Sequence, residues 1–492
     1  MEKIRKIIQN YQSRMIWFCA NFGMLLVFWG GMLRKSFNAD TVFHMVVDDA
    51  DVRCNMRAGR YVIGLIDGLL FKLGLRTTTN LSVTMLLAFV IFAVALCKLQ
   101  GIFREWCPKD TFLKAGFLCG VSLVFFNVLF AEPLMFSEYC VYYAIGYFAA
   151  IMAADCYLRR RYAGMFLALL VAVSSYQYTV IFAAILLAFV ICLEEKQELS
   201  MRKVLREMTA VGSCVGVGVL NLLSMVLLEK IGVFADLEKN AGLGSLKDKL
   251  QDMVKSFIDL NQSSAGIMPD IWIPLLFSLS VWVLIILSCI KEKKINMLVF
   301  IAIVWLGSHI LLYIIPFANE TFYFPPRMSF CFFFIQGLLV AAAYVVSEEK
   351  VQKLLTWGCL TYFLIQLLFA DFTVTNHFVS NTLDETYTNM VYQEILQYEE
   401  TTGIQVKKLA VGNDAYAPNH YNNVSYTSEQ INERVVGQVT SSLMTVISGR
   451  YFEPAEIDEE IYKRYFEGKD WDYFDLSQQL IIEGDTAYWC VF

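Results

Sequence analysis

The sequence predicts a mainly helical, polytopic membrane protein of about eleven transmembrane segments, with a small C-terminal α/β domain outside the membrane. Three observations carry this. Hydrophobic residues make up 57% of the 492-residue chain and charged residues 17%, against about 25% charged in a soluble domain. Apolar runs recur up to residue 372, each near the roughly 20 residues a bilayer-crossing helix needs. Beyond residue 372 the composition turns soluble.

Taken in order, the predicted spans are 15–33, 80–98, 112–131, 139–157, 162–176, 178–193, 207–228, 271–290, 296–315, 328–346 and 354–372. The fifth and sixth are short, and read equally as one hairpin broken near Ser174, Ser175 and Tyr176. The first follows a basic stretch, Met1 to Arg14, without a small-x-small cleavage site, and so reads as an uncleaved signal anchor. Residues 61–75, interrupted by Asp67 and Lys72, suit an amphipathic helix lying at the interface. In the loop 229–269, Leu246, Leu250, Met253 and Phe257 mark one surface helix, a candidate lid. The tail (373–492) predicts a helix from Thr386 to Glu400 closed by Gly403, then a strand from Val406 to Val411. Helices near 428–447 and 456–466 and strands near 478–483 and 486–492 follow. The chain thus divides into a transmembrane domain, 1–372, and an extracytoplasmic domain, 373–492.

Lys and Arg gather in alternate short loops: Lys98 to Lys114, Arg159 to Arg161, and Lys291 to Lys294. The loops near Glu132 and Gln177 have none, and the loop after Pro316 has only Arg327. Under the positive-inside rule the amino terminus is inside and the first loop, the 229–269 loop and the tail face outward. The expected location is a bacterial cytoplasmic membrane.

The net charge of −6 carries no basic footprint for nucleic acid. The 13 cysteines lie mostly inside apolar runs, and the four histidines are far apart in sequence, which argues against a His-based metal site. There is no G-x-G-x-x-G, Walker A or G-x-S-x-G pattern. The chemistry is expected in the stretch from Phe37 to Val62, which crowds Asp40, Asp48, Asp49 and Asp51 against Arg53, Arg57 and Arg60. A crowded, partly buried carboxylate is raised toward neutral pH and can accept a hydroxyl proton. The competing reading is a solvated acidic loop.

Arg57 and Arg60 lie three apart, on one face of a helix, and guanidinium groups grip phosphate in two-point fashion. They can equally pair with the aspartates or with lipid headgroups. Arg327, in ETFYFPPRMSF, is a further phosphate candidate with Glu320 as a possible partner, although a lone arginine there can simply snorkel. Glu132 and the pair Tyr176-Gln177 are candidate acceptor- or sugar-binding residues; a solvated loop and an aromatic belt are the plainer readings.

These patterns, in order, resemble the GT-C class of glycosyltransferases and, within it, the Gtr-type bacterial membrane glucosyltransferases. The resemblance rests on Asn38 and Asp40, Gly59-Arg60, Asn127 with Glu132-Pro133, Tyr176-Gln177 and Pro326-Arg327. It covers most of residues 1–372. It implies transfer of a hexose, glucose in that family, from a polyprenyl-phosphate donor to a cell-surface polysaccharide or teichoic-acid-type acceptor. Asp40 matches the family turn, and Asp48-Asp49-x-Asp51 looks like the broader acidic motif, so the base stays open among them. Phosphate leaves readily, so no cofactor is needed; a divalent cation, if one is used, would sit on Asp48, Asp49 and Asp51. The rival readings are a lipid-linked saccharide flippase and a non-catalytic assembly protein of the cell envelope.

Overall fold

The structure is a computed structural model and describes residues 2–47, 50–194, 201–233, 244–413, 435–469 and 474–491. Asp48 and Asp49 lie outside these residues, as does the side chain of Asp51. After α1 (Glu2–Trp29) come three short helices, α2 (Ala39–Val46), α3 (Ala50–Arg57) and α4 (Tyr61–Lys72). Next come α5 (Leu81–Ile102), α6 (Thr111–Ser122), α7 (Ala131–Met135), α8 (Cys140–Leu158), α9 (Tyr162–Ser175), α10 (Thr179–Glu194) and α11 (Met201–Lys230). The membrane-like part continues with α12 (Leu246–Ser263), α13 (Ile273–Lys291), α14 (Ile295–Leu312), α15 (Ile314–Ala318), α16 (Pro326–Ser329), α17 (Cys331–Val346) and α18 (Glu349–Thr402).

Among the described residues, 8 helices are long and apolar enough to cross a membrane. This is the helix inventory of a membrane protein. Outward-facing Leu223 and Leu227 on α11, and Val283 and Leu287 on α13, suit contact with lipid. Three other expected spans are the apolar helices α6, α9 and α10, of 12, 14 and 16 residues, each short for a full crossing.

The third expected span stops at Ser122 for a local reason. Residues 123–139 are buried but mostly non-helical, and side chains must satisfy their backbone. Asn127 donates to the carbonyls of Leu123 and Val124 (2.8 and 3.1 Å) and accepts from the Phe130 amide. Gln366 of α18 accepts from the Val128 amide (3.0 Å). Irregular backbone of this kind is stable in a membrane protein where protein rather than lipid surrounds it.

A second difference lies at residue 372. The expected span 354–372 and the separate helix 386–400 form one 54-residue helix, α18. No Gly or Pro occurs from Cys359 to Thr402, so nothing ends the helix before Gly403, which takes a left-handed φ of 69°. At about 1.5 Å rise per residue it is roughly 80 Å long. The boundary read from composition therefore falls inside a helix that both parts share.

The tail carries β1 (Lys408–Asn413), α19 (Val435–Ser448), β2 (Glu453–Ala455), α20 (Glu459–Tyr465), β3 (Leu480–Glu483) and β4 (Thr486–Val491). The strands make one sheet in the order β2-β1-β4-β3, with β1 parallel to both neighbours and β3 antiparallel to β4. Its core contains Leu409, Leu443, Met444 and Trp489, joined by Val391 and Ile395 of α18. Phe37 and Val42, from the loop after the first span, belong to the same core. Asn381 of α18 also accepts from the Phe37 amide (2.9 Å). The tail is thus built onto the first loop and holds α2 in place.

One end of the bundle is basic and paired. Asp155 bridges Lys98 and Arg159 (2.8 and 2.9 Å), Arg206 meets Glu194 (2.7 Å), and Lys291 meets Glu348 (2.6 Å). The opposite ends of the same helices carry the candidate site.

Candidate functional site

Arg60 is placed by a tight turn between α3 and α4. Gly59 there has a φ of +72°, and a Cβ would come within 2.6 Å of Met225 Sδ. Asn221 of α11 donates to the Gly59 carbonyl (2.9 Å), and Gln177 donates to the Ala58 carbonyl. The residue expected to contact sugar through its amide therefore clamps the turn that presents Arg60. Gly59→Ala combines strain with a clash and is expected to cost about 1–3 kcal/mol, measured as a lowered thermal midpoint in detergent.

The Arg60 guanidinium carbon sits 5.7 Å from the centroid of the Tyr176 ring. Its Nε is buried and has no hydrogen-bond partner. Among the described residues no carboxylate pairs with it. Arg57, at the end of α3, is exposed.

Arg327 is differently situated. Pro326 opens α16, and the Arg327 amide donates to Glu132 Oε2 (2.5 Å) while Nη1 donates to Oε1 (2.7 Å). Nη2 reaches the Tyr323 hydroxyl, and the guanidinium lies 5.1 Å from the Phe136 ring. Glu132 is wholly buried, and Arg327 keeps 16% of its side-chain surface. Glu132, an acceptor-site candidate in the sequence, is thus committed to fixing Arg327. The Tyr176 hydroxyl approaches the Arg327 carbonyl (3.5 Å), so one tyrosine touches both arginines. Tyr143 of α8 packs edge-on against Tyr176, 4.9 Å between centroids. Arg60, Arg327 and Glu138 all act electrostatically on Tyr143.

Glu138 marks the acidic side. Asn38 caps α2, accepting from the Thr41 amide (2.7 Å). The Thr41 hydroxyl donates to Glu138 Oε2 (2.5 Å) and lies 2.9 Å from Asn38 Oδ1. His44 Nδ1 stands 3.9 Å from Glu138 Oε1 and 3.3 Å from the Tyr139 hydroxyl. Burial pushes the Glu138 carboxyl up to about 7, against the opposing pull of His44 and Thr41, with Asp40 adding a small upward push. Such a group favours folding while it holds its proton. The thermal midpoint should therefore fall as pH rises from 4.5, its ordinary value, to about 7. Glu138→Gln should flatten that slope.

The other expected site residues are less central. Asp40 is exposed in the first turn of α2, where a negative charge suits the helix N-terminus, and no arginine among the described residues pairs with it. Glu320 is exposed, its carbonyl close against Gly244 ahead of α12. Among the described residues no group of His, Cys, Asp and Glu is arranged to hold a metal ion. The cation set expected from sequence, Asp48, Asp49 and Asp51, lies outside them.

Two further buried acids stand out. In the sequence Glu138 shares the outer loop of Glu132, where a solvated loop is the plainer reading and acceptor binding the sharper one; its signal is an acid inside the core-like run LFAEPLMFSEYC. Asp67 reads as an interruption of α4, yet it is buried, accepting from the Tyr142 hydroxyl and from Asn55 Nδ2 (3.2 Å). No family model matches the chain, and neither a curated protein nor a solved structure matches it.

Proposed function

We propose that the protein is a membrane glycosyltransferase that moves a hexose from a polyprenyl-phosphate donor to a cell-surface polysaccharide or teichoic-acid-type acceptor. Glucose is the first sugar to test. The reading places the site on the outer face of a bacterial cytoplasmic membrane, with the amino terminus inside and the tail outside. The observation that carries it is Arg60, buried at Nε without a partner and sharing Tyr176 with an arginine that Glu132 holds rigid. A guanidinium Nε buried without a hydrogen-bond partner is costly, and an anionic ligand that accepts from it relieves the cost. A phosphate joined to an isoprenoid supplies that anion at the edge of a hydrophobic belt.

In this reading the two guanidinium groups balance charge as the phosphate leaves, and a carboxylate takes the acceptor proton. Tyr176, itself buried, backs both arginines, and Tyr143 packs edge-on behind it. The full chain reconstituted in liposomes and given polyprenyl-phosphate glucose should label a polysaccharide acceptor. Movement of the lipid across the bilayer without transfer would contradict the proposal and favour a flippase.

A further inference from the structure

We infer that Glu138 takes the proton from the acceptor hydroxyl, and that Asn38 and Thr41 form the cradle for that hydroxyl. The inference rests on the transferase reading above and assigns its base.

Oε2 of Glu138 is occupied by the Thr41 hydroxyl, while Oε1 is buried and has no hydrogen-bond partner. Asn38 shows the complementary gap: its Oδ1 serves Thr41, and its buried Nδ2 donates to nothing. Nearly all buried polar groups are paired, so each orphan calls for a partner. Here an acceptor and a donor are both orphaned, and both residues are tied to the same Thr41 hydroxyl. A hydroxyl group, which donates and accepts at once, answers both needs. Asp40 lacks this setting because it faces solvent.

The groups facing Glu138 come from several elements. Helix α2 supplies Thr41, Asp40 and His44; Tyr139, the N-cap of α8, lies beside His44, and Tyr143 of α8 lies toward the arginines. Asn381 of α18 holds the Phe37 backbone just ahead of Asn38. His44 also lines a small cavity with Asp67 and Arg76.

The step balances as follows. The hydroxyl proton passes to Glu138 Oε1 while the acceptor oxygen bonds to the anomeric carbon. The bond from that carbon to the phosphate oxygen breaks, and its electron pair leaves on polyprenyl phosphate beside Arg60 and Arg327. The proton then leaves Glu138 through His44.

The test uses the reconstituted full chain, polyprenyl-phosphate glucose as donor, and a panel of purified cell-surface polysaccharides and teichoic acids. Glu138→Gln keeps the shape and removes the base. It is expected to lower kcat by about 10²–10⁴-fold, the usual contribution of a general base. Polyprenyl-phosphate binding should stay within about twofold, because Glu138 does not hold the donor. Wild-type kcat/KM should rise with pH up to about 7, the Glu138 value, and then level off; Glu138→Asp should keep that acid limb and Glu138→Gln should lose it. Three results overturn the assignment: Glu138→Gln transfer near the wild-type rate, an unchanged acid limb, or loss of donor binding in Glu138→Gln. The first two leave the transferase reading intact. A wild-type protein that labels no acceptor removes that reading, and the assigned base with it.

Discussion

Arg60→Gln is expected to weaken polyprenyl-phosphate binding by about 10–100-fold, the worth of one charge-assisted hydrogen bond of about 1.5–3 kcal/mol. Transfer should fall at least as far, because the same charge acts as phosphate departs. The thermal midpoint should stay level or rise. Among the described residues Arg60 has no ion-pair partner to lose, and its Nε is already orphaned inside the protein. Arg60→Lys should not restore binding, since an ammonium lacks the two-point grip of a guanidinium. Binding of a fluorescent isoprenyl phosphate to detergent-solubilised protein checks the two binding statements, and a transfer assay and a thermal melt check the other two. A stable Arg60→Gln protein that binds as well as wild type would remove Arg60 from the site.

Glu132→Gln should act on stability first. It leaves the Arg327 guanidinium, 16% exposed, beside a neutral amide in place of a wholly buried carboxylate. Breaking a buried pair from one side costs about 3–5 kcal/mol. The cost should appear as a large drop in thermal midpoint, with transfer lost as Arg327 leaves its position. The double variant Glu132→Gln/Arg327→Met should recover much of the stability, because no lone charge remains, yet stay inactive. That contrast separates a buried pair that only holds the fold from one that also positions a functional cation. Equal midpoints for Glu132→Gln and wild type would mean that the pair is open to solvent.

Much of the fold is legible in the sequence because hydrophobic run length and helix-ending residues are local signals. The α12 surface helix, the short α4 helix and the three longest strands fall where periodicity puts them. The fold departs from the sequence reading where composition and backbone continuity part company. Composition changes at residue 372, while α18 continues for want of a breaking residue. In the same way, 112–131 is apolar enough to span, yet Asn127 and Gln366 satisfy a buried irregular segment in its second half.

The candidate site is legible in the placement of its cations and less so in that of its acids. Gly59-Arg60 and Pro326-Arg327 each carry a backbone signal, a positive φ or a proline at a helix start. Burial of a loop carboxylate leaves no such mark. Asp40 and Glu138 look alike in sequence; the difference is made by Thr41, 97 residues away from Glu138 in the chain. Within the Asn-x-Asp turn the fold uses Asn38 as the cap of α2, and turns Asp40 outward. Glu132 and Gln177 look like ligand-binding residues but serve the two arginines, one by ion pairing and one by clamping a turn.

The central claim is that Arg60 and Arg327 hold the phosphate of an isoprenoid lipid. Photolabelling the reconstituted protein with a phosphate-bearing isoprenoid probe, followed by peptide mapping, tests it most directly. The account predicts labels on peptides spanning residues 58–72, 131–143 and 322–331, all suppressed by excess polyprenyl phosphate and absent in Arg60→Gln. Labels spread along α11 and α13 and indifferent to competitor would mean that the probe meets the protein only as membrane solvent, and would contradict the claim.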